Sequence, residues 1–81
     1  MTRDEILNDL RRRMHEMFEI EPEKVSLEAD LRNDLGLDSI DAIDMAASLQ
    51  KMTGEKVELS ALKSIRTVSD VVDLVDKHLH R

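Results

Sequence analysis

The sequence predicts an all-α domain, a bundle of three longer helices and one short helix with a long first loop. Apolar residues recur at three- and four-residue steps in separate stretches, which is the spacing of an amphipathic helix. No stretch shows the alternation of apolar and polar residues that is typical of a half-buried strand. The chain has 81 residues, of which 41% are hydrophobic, so we expect residues 1–81 to form a single domain with one core.

The first helix is predicted over residues 3–18. Thr2 and Glu5 have the Thr-x-x-Glu spacing of a capping box, which marks a helix start. Three consecutive arginines at 11–13 fan around this helix, so we interpret them as a solvated surface, with a basic docking patch as the alternative. The apolar face of the helix consists of Ile6, Leu7, Leu10, Met14, Met17 and Phe18.

A long loop is predicted from residue 21 to Gly36. Pro22 has no amide hydrogen and disfavours helix in the residue before it, so the first helix ends before this point. A loop of this length is uncommon in a small domain unless it packs or functions. We expect one short turn near residues 31–34. The apolar residues that we expect to pin the loop across the helices are Val25, Leu27, Leu31 and Leu35.

The second helix is predicted from Ser39 to about Met52. Gly36 allows a turn with positive φ, after which Asp38 can cap the helix and Asp41 adds negative charge at its positive end. We expect an inward face of Ile43, Ala46, Ala47 and Leu49, an outward face of Asp41, Asp44, Ser48 and Lys51, and border positions at Ile40 and Met45.

Two further helices are predicted after Gly54, which suits the end of the second helix because glycine adopts the left-handed cap conformation. A short helix covers residues 58–65. Thr67 and Asp70 can cap the last helix, which extends to about Leu79. Its expected inward residues are Val68, Val71, Val72, Leu74, Val75 and Leu79.

The net charge of −6 is concentrated in one part of the chain. Residues 21–45 contain eight acids and two bases, a balance of −6, whereas the rest of the chain is neutral in sum. This pattern argues against nucleic acid as a partner, because phosphate contacts need clustered Lys and Arg. It favours partners with basic surfaces, which the charge steers into contact. The alternative is an acidic face that only keeps the domain soluble.

The sequence does not indicate a metal site or a reactive thiol. The chain has no cysteine, hence no disulfide, thiolate metal site or thiol nucleophile, so any thiol chemistry would need a prosthetic group. The residues from Asp30 onward do not fit a calcium-binding loop. Arg32 stands at the third position of such a loop, which is a ligand position, and Leu35 stands where it has its turn glycine. His78 and His80 cannot share a helix face. No metal site is therefore predicted.

Membrane association and secretion are not indicated either. No apolar run reaches the ~18 residues of a membrane span, and residues 1–4 open no secretory signal. We therefore expect a cytoplasmic protein without a membrane partner. Nothing resembles a dimer seam, so we expect a monomer.

Ser39 is the candidate functional residue. It falls in the first turn of the second helix, beside free backbone amides and the positive end of the helix dipole, where a phosphate ester would meet an anion site. The alternative is that Ser39 is only a favourable first-turn residue. The Gly-x-Ser-x-Gly elbow of hydrolases is absent, since Leu37 and Asp41 stand at the glycine positions. No histidine is tied to Ser39 by a local pattern, so no catalytic residue is predicted.

Residues 35–41 read Leu-Gly-Leu-Asp-Ser-Ile-Asp, near the middle of a short acidic chain. This motif and its frame resemble the acyl carrier proteins, from about Glu5 to Leu79. In that family the serine of the Asp-Ser-Leu or Asp-Ser-Ile motif carries 4′-phosphopantetheine, taken from coenzyme A, whose thiol holds an acyl group as a thioester. The resemblance implies that Ser39 is the attachment residue, that Asp38 belongs to the cofactor site, and that the chain is a carrier and not an enzyme.

The resemblance also implies a docking face on the second helix. The chain departs from the common family pattern at residues 50 and 51, Gln and Lys, where acids are often found. The implied partners are a phosphopantetheinyl transferase, acyltransferases or ligases, and ketosynthases and reductases with basic docking surfaces. In the family, the residue after the modified serine and acids further along the helix meet these enzymes, so the docking candidates are Ile40, Asp41, Asp44 and Met45.

Within the family, the chain resembles specialised bacterial carriers at residues 37–45, 49–50, 53–54 and 65–68. This likeness implies fatty-acid or polyketide-type biosynthesis, with aryl-polyene or related clusters as the narrowest interpretation and a peptidyl or D-alanyl carrier as a lesser one. Ala46 and Ala47 either let the helices approach closely or leave room for an acyl chain. The rival from another class is a helical adaptor without a prosthetic group, which binds a basic partner through the same acidic face.

Overall fold

The computed structural model describes residues 1–80, and within them the predicted all-α bundle is confirmed. A single 3-10 turn, Pro22–Lys24, lies in the long first loop, and the β-type pairing of this part of the chain is one isolated bridge between Asp30 and Thr67. No helix among the described residues has the length and apolar character needed to cross a membrane. The helices are α1 Arg3–Phe18, α2 Ser39–Thr53, α3 Leu59–Lys63 and α4 Val68–Leu79.

Each of the three longer helices begins with a capping box. In each box, two residues exchange hydrogen bonds between side chain and backbone, which satisfies amides that helix geometry leaves without a partner. The sequence predicts the boxes of α1 and α4 and the Asp38 cap of α2. Helix starts are therefore set by local sequence, which is why predicted and observed starts agree. The pairs are Thr2 with Glu5, Asp38 with Asp41, and Thr67 with Asp70.

The core lies between α1 and α4, with α2 packed on α4 and on α3. The predicted inward faces of α1 and α4 are confirmed in their centres. Met17, near the end of α1, is instead exposed. The buried residues of α1 recur every four residues, and Met17 does not fall on that spacing. The buried residues of the two helices are Ile6, Leu10 and Met14 in α1 and Val68, Val71, Val72 and Val75 in α4.

The predicted orientation of α2 is wrong at three positions. Ile43 is 55% exposed and Ala47 is exposed, although the sequence predicts both inside. Met45 is 5% exposed, although it is predicted at the border. Leu49 lies fully in the core, and Met45 follows it inside because residues four apart share a helix face. Ala46 is also buried, whereas Ala47 is exposed and therefore does not line the space between the helices.

The long loop is fixed to the start of α4 by backbone hydrogen bonds. The amide of Leu31 donates to the Arg66 carbonyl at 2.9 Å, and the amide of Val68 donates to the Ala29 carbonyl at 3.0 Å. The prediction of a pinned loop is therefore confirmed, although Leu27 is 37% exposed and buries less than predicted. This anchoring places the segment before α2 against the connection between α3 and α4.

Candidate functional site

Ser39 is the first residue of α2, and its side chain is exposed. Its hydroxyl makes no hydrogen bond to another described residue. The chain reaches this position through a turn at Gly36, where φ is 70°. A Cβ at Gly36 would meet no atom within 4 Å, so glycine is favoured there for its backbone conformation and not for space. The turn thus presents Ser39 to solvent at the outer end of α2.

Asp38 fixes the start of α2. Its Oδ1 accepts hydrogen bonds from the amides of Ile40 and Asp41, both at 2.9 Å, and Oδ2 of Asp41 accepts from the Asp38 amide at 3.1 Å. The hydrogen bond from the Asp41 amide is the main reason why the pKa of Asp38 lies below its ordinary value. The sequence predicts free backbone amides beside Ser39, but the amides of Ile40 and Asp41 are already bonded to Asp38. A phosphate ester on Ser39 would still meet the positive end of the helix dipole.

An open groove of about 710 Å³ lies beside Ser39, between α2, the first loop and α3. Its edge is polar and includes Asp38 and the charged residues of the loop and of the end of α3. Such a groove can hold an apolar chain whose other end stays at the surface. The apolar residues that line it, which we call its floor, are Met14, Leu31, Leu37, Ala42, Ile43, Met45, Leu49, Leu62, Ile65 and Val71.

The predicted docking residues are not all on one surface. Ile40 is 67% exposed and Asp44 is exposed. Asp41 is half-buried and its carboxylate serves the capping box. Met45 lies in the core and in the wall of the groove, so the prediction that it faces partners is wrong.

Two apolar residues of α2 that are predicted inside lie instead on its exposed face. Ile43 and Ala47 are exposed and, with Ile40, follow one another at steps of three and four residues, so they share a face. We call Ile40, Ile43 and Ala47 the α2 strip. The sequence contains the spacing of the α2 strip, but the apolar stripe through Met45 and Leu49 has the same helical period. Only the packing shows which of these two stripes is buried.

The hydrogen bonds of the described histidines go to residues other than Ser39. One ring nitrogen of each histidine lies within 3.2 Å of an oxygen, and no group of three potential metal ligands converges within the described residues. A hydroxyl is activated as a nucleophile by a hydrogen bond to a general base, and the Ser39 hydroxyl makes no hydrogen bond to another described residue. The histidines His15, His78 and His80 contact, respectively, Ile20, Glu55 and Met1.

The chain is similar to known proteins over nearly its whole length. The family described as "Phosphopantetheine attachment site" matches residues 8–75. The chain is 47% identical over 79 residues to acyl carrier protein 2 of Ralstonia nicotianae, covering 98% of each chain. It is 36% identical over 80 residues to an acyl carrier protein of Coprothermobacter proteolyticus, covering 99% of this chain and 98% of the relative. The crystal structure of an acyl carrier protein from Thermotoga maritima matches with a TM-score of 0.85 at 28% identity, covering 95% of this chain and 89% of that one.

Proposed function

The chain belongs to the acyl carrier protein family, and from that membership we propose that Ser39 is the residue to which its 4′-phosphopantetheine is attached. Proteins of this family are carriers and not enzymes, and they work with separate biosynthetic enzymes. The thiol at the end of the arm supplies the thioester chemistry that a chain without cysteine lacks. The observation that carries the proposal is the exposed hydroxyl of Ser39 beside an apolar groove.

The residues around Ser39 fit such an arm. The hydroxyl has no hydrogen bond within the described chain to break before it is modified, and it stands where a transferase can reach it. Asp38 holds the backbone of the first turn through two amides, so the attachment point is held in a defined conformation. The floor of the groove, which includes Leu62 and Ile65, can shelter an apolar chain that folds back from the arm. The chain's own part is therefore to position, shelter and present its cargo.

The outer face of α2 is the docking surface in this proposal. The α2 strip supplies an apolar centre, and Asp44 beside it supplies negative charge. That combination fits a partner with an apolar patch inside a basic surface, because apolar burial gives contact and opposite charge gives orientation. The proposed partners are a phosphopantetheinyl transferase, acyltransferases or ligases, and ketosynthases and reductases.

The cargo in this proposal comes from fatty-acid or polyketide-type biosynthesis, with aryl-polyene clusters as the narrowest case. The groove supports this assignment because its floor is lined by long aliphatic side chains. Such a lining suits a hydrocarbon chain better than a single polar amino acid, the cargo of a peptidyl or D-alanyl carrier.

The proposal is tested by adding coenzyme A and a phosphopantetheinyl transferase to the unmodified protein and measuring its intact mass. We expect the mass to rise by one phosphopantetheine group in the wild type and to stay unchanged in Ser39→Ala. Ser60→Ala is the matched control, because Ser60 is also an exposed helical serine, and it should be modified like the wild type.

A different result would assign another role. Modification that persists in Ser39→Ala would move the attachment to a different residue. No mass gain with several transferases would favour the helical adaptor, which needs no prosthetic group.

A further inference from the structure

Three basic side chains line the groove beside Ser39. Arg32 belongs to the first loop, Lys63 ends α3, and Arg66 lies in the connection to α4. All three are exposed, and within residues 1–80 none of their side chains forms an ion pair or a hydrogen bond. The arginines of α1, by contrast, all bond to carboxylates or to other oxygens. We call Arg32, Lys63 and Arg66 the cationic rim.

The two acids that share the groove do not pair with the rim. Asp30 Oδ1 accepts hydrogen bonds from the amides of Arg32 and Asn33 at 2.9 and 2.8 Å, and Asp38 is bonded to the amides that begin α2. The pKa of Asp30 is lowered mainly by the Asn33 amide and to a smaller extent by the nearby charge of Arg66. Both carboxylates therefore hold the backbone, and the rim cations keep their hydrogen-bonding capacity.

The rim has the opposite sign to the rest of this region. It places three cations on one groove, although residues 21–45 carry a balance of −6. The cationic rim cannot attract a basic enzyme to the outer face of α2, because the rim and the enzyme surface are both positively charged. The rim stands instead at the edge of an apolar floor, an arrangement that fits a ligand with an apolar body and an anionic group.

We propose that the cationic rim binds a carboxylate on the acyl cargo, so that the groove favours cargo derived from dicarboxylic acids over cargo that ends in a methyl group. This inference rests on the proposed function, because the cargo reaches the groove through an arm on Ser39. None of the rim residues belongs to α2, where the phosphate of the arm would be attached. They meet the far end of the cargo when it folds back over the floor of the groove.

The test compares two cargoes of nearly equal length. A transferase attaches the arm from adipoyl-coenzyme A or from its methyl ester, so that the far end of the cargo is anionic or neutral. Hydroxylamine then cleaves the thioester at low salt, and intact mass gives the rate relative to the same thioester of free pantetheine. Exposed ion pairs are weak, so we expect adipoyl to be cleaved about threefold more slowly than its methyl ester. The difference should vanish in about 0.5 M NaCl, which screens exposed charges.

Variants assign the effect to the rim. In the double variant Lys63→Gln and Arg66→Gln, the two cargoes should be cleaved at the same relative rate. Lys24→Gln removes an exposed cation that does not line the groove, and it should keep the difference between the cargoes. Circular dichroism checks that both proteins are folded, and the salt titration of the wild type tests the inference without any substitution.

Two results would overturn the inference. The first is equal relative rates for both cargoes in the wild type, and the second is a difference that survives in the double variant. In either case, a phosphorus-31 resonance of the arm that shifts in the double variant would assign the rim to the phosphodiester instead. Failure of the transferase to add any mass would overturn the proposed function itself, so the two failures are distinguishable.

Discussion

Asp38 and Ser39 are neighbours in the chain with opposite roles. The carboxylate of Asp38 is bonded to two amides, whereas the hydroxyl of Ser39 is bonded to no described residue. The difference follows from helix geometry, because the residue before the first turn faces the amides two and three positions ahead, while a residue in the first turn points outward. One side chain is committed to the fold, and the other is available for modification at no cost in hydrogen bonds.

The Asp38 cap should make the stability of the domain depend on acid. Its pKa is lowered in the folded state, chiefly by the Asp41 amide, so its contribution is present above the unfolded-state pKa of about 4 and is lost as the pH falls through the folded-state value. Asn also accepts hydrogen bonds from helix amides but does not titrate. We therefore expect Tm to fall less between pH 5 and pH 2 in Asp38→Asn than in the wild type, as measured by circular dichroism.

Asp44→Asn is the control for this experiment. It removes the same charge from an exposed carboxylate that makes no hydrogen bond or ion pair within the described chain, so its acid dependence should follow the wild type. Equal acid dependence of wild type and Asp38→Asn would show that the cap does not stabilise the folded state through its charge.

Among the helices, α1 and α4 were predictable from sequence and the rotation of α2 was not. The capping patterns of α1 and α4 mark their starts, and their apolar residues leave one choice of inward face. Helix α2 has two apolar stripes of helical period, one through Ile43 and Ala47 and one through Met45 and Leu49. Periodicity weighs them equally, whereas the folded chain buries the stripe with the longer side chains, which fill the space beside α4. The proposed attachment residue needs only the helix start, so the position of Ser39 could be predicted, while part of the proposed docking face could not.

The observed rotation of α2 is tested by a pair of alanine substitutions. Met45→Ala leaves a cavity in the core and should lower the free energy of unfolding by about 2–5 kcal/mol in urea denaturation. Ile43→Ala changes an exposed side chain and should alter it by less than about 0.5 kcal/mol. The same Ile43→Ala should lower kcat/KM for modification by the transferase, since it removes part of the α2 strip. The reverse order of stabilities would mean that the stripe through Ile43 is the buried one.

On the scale of the whole molecule, the two ends of the bundle differ in what holds them. At one end, Arg3 at the start of α1 pairs with Asp73 of α4 at 2.7 Å. The groove lies toward the other end of α4, where it reaches Val71 in the first turn. The acids of residues 21–45 lead into that second end, in the loop and at the start of α2. The fold therefore separates the end held by the Arg3–Asp73 ion pair, which we call the self-paired end, from the end that carries the net charge of residues 21–45.

This separation should be visible in the kinetics of modification. Opposite charges steer association and salt screens them, so kcat/KM of a transferase with a basic surface should fall as NaCl rises from about 20 to 200 mM, mainly through KM. Asp44→Lys reverses a charge beside the α2 strip, and we expect it to reduce kcat/KM by about tenfold at low salt and to weaken the salt dependence. Asp4→Lys makes the same change in net charge at the self-paired end, in the first turn of α1, and should reduce kcat/KM much less. Equal losses for the two variants would show that net charge alone, and not its placement around Ser39, brings the partner to the carrier.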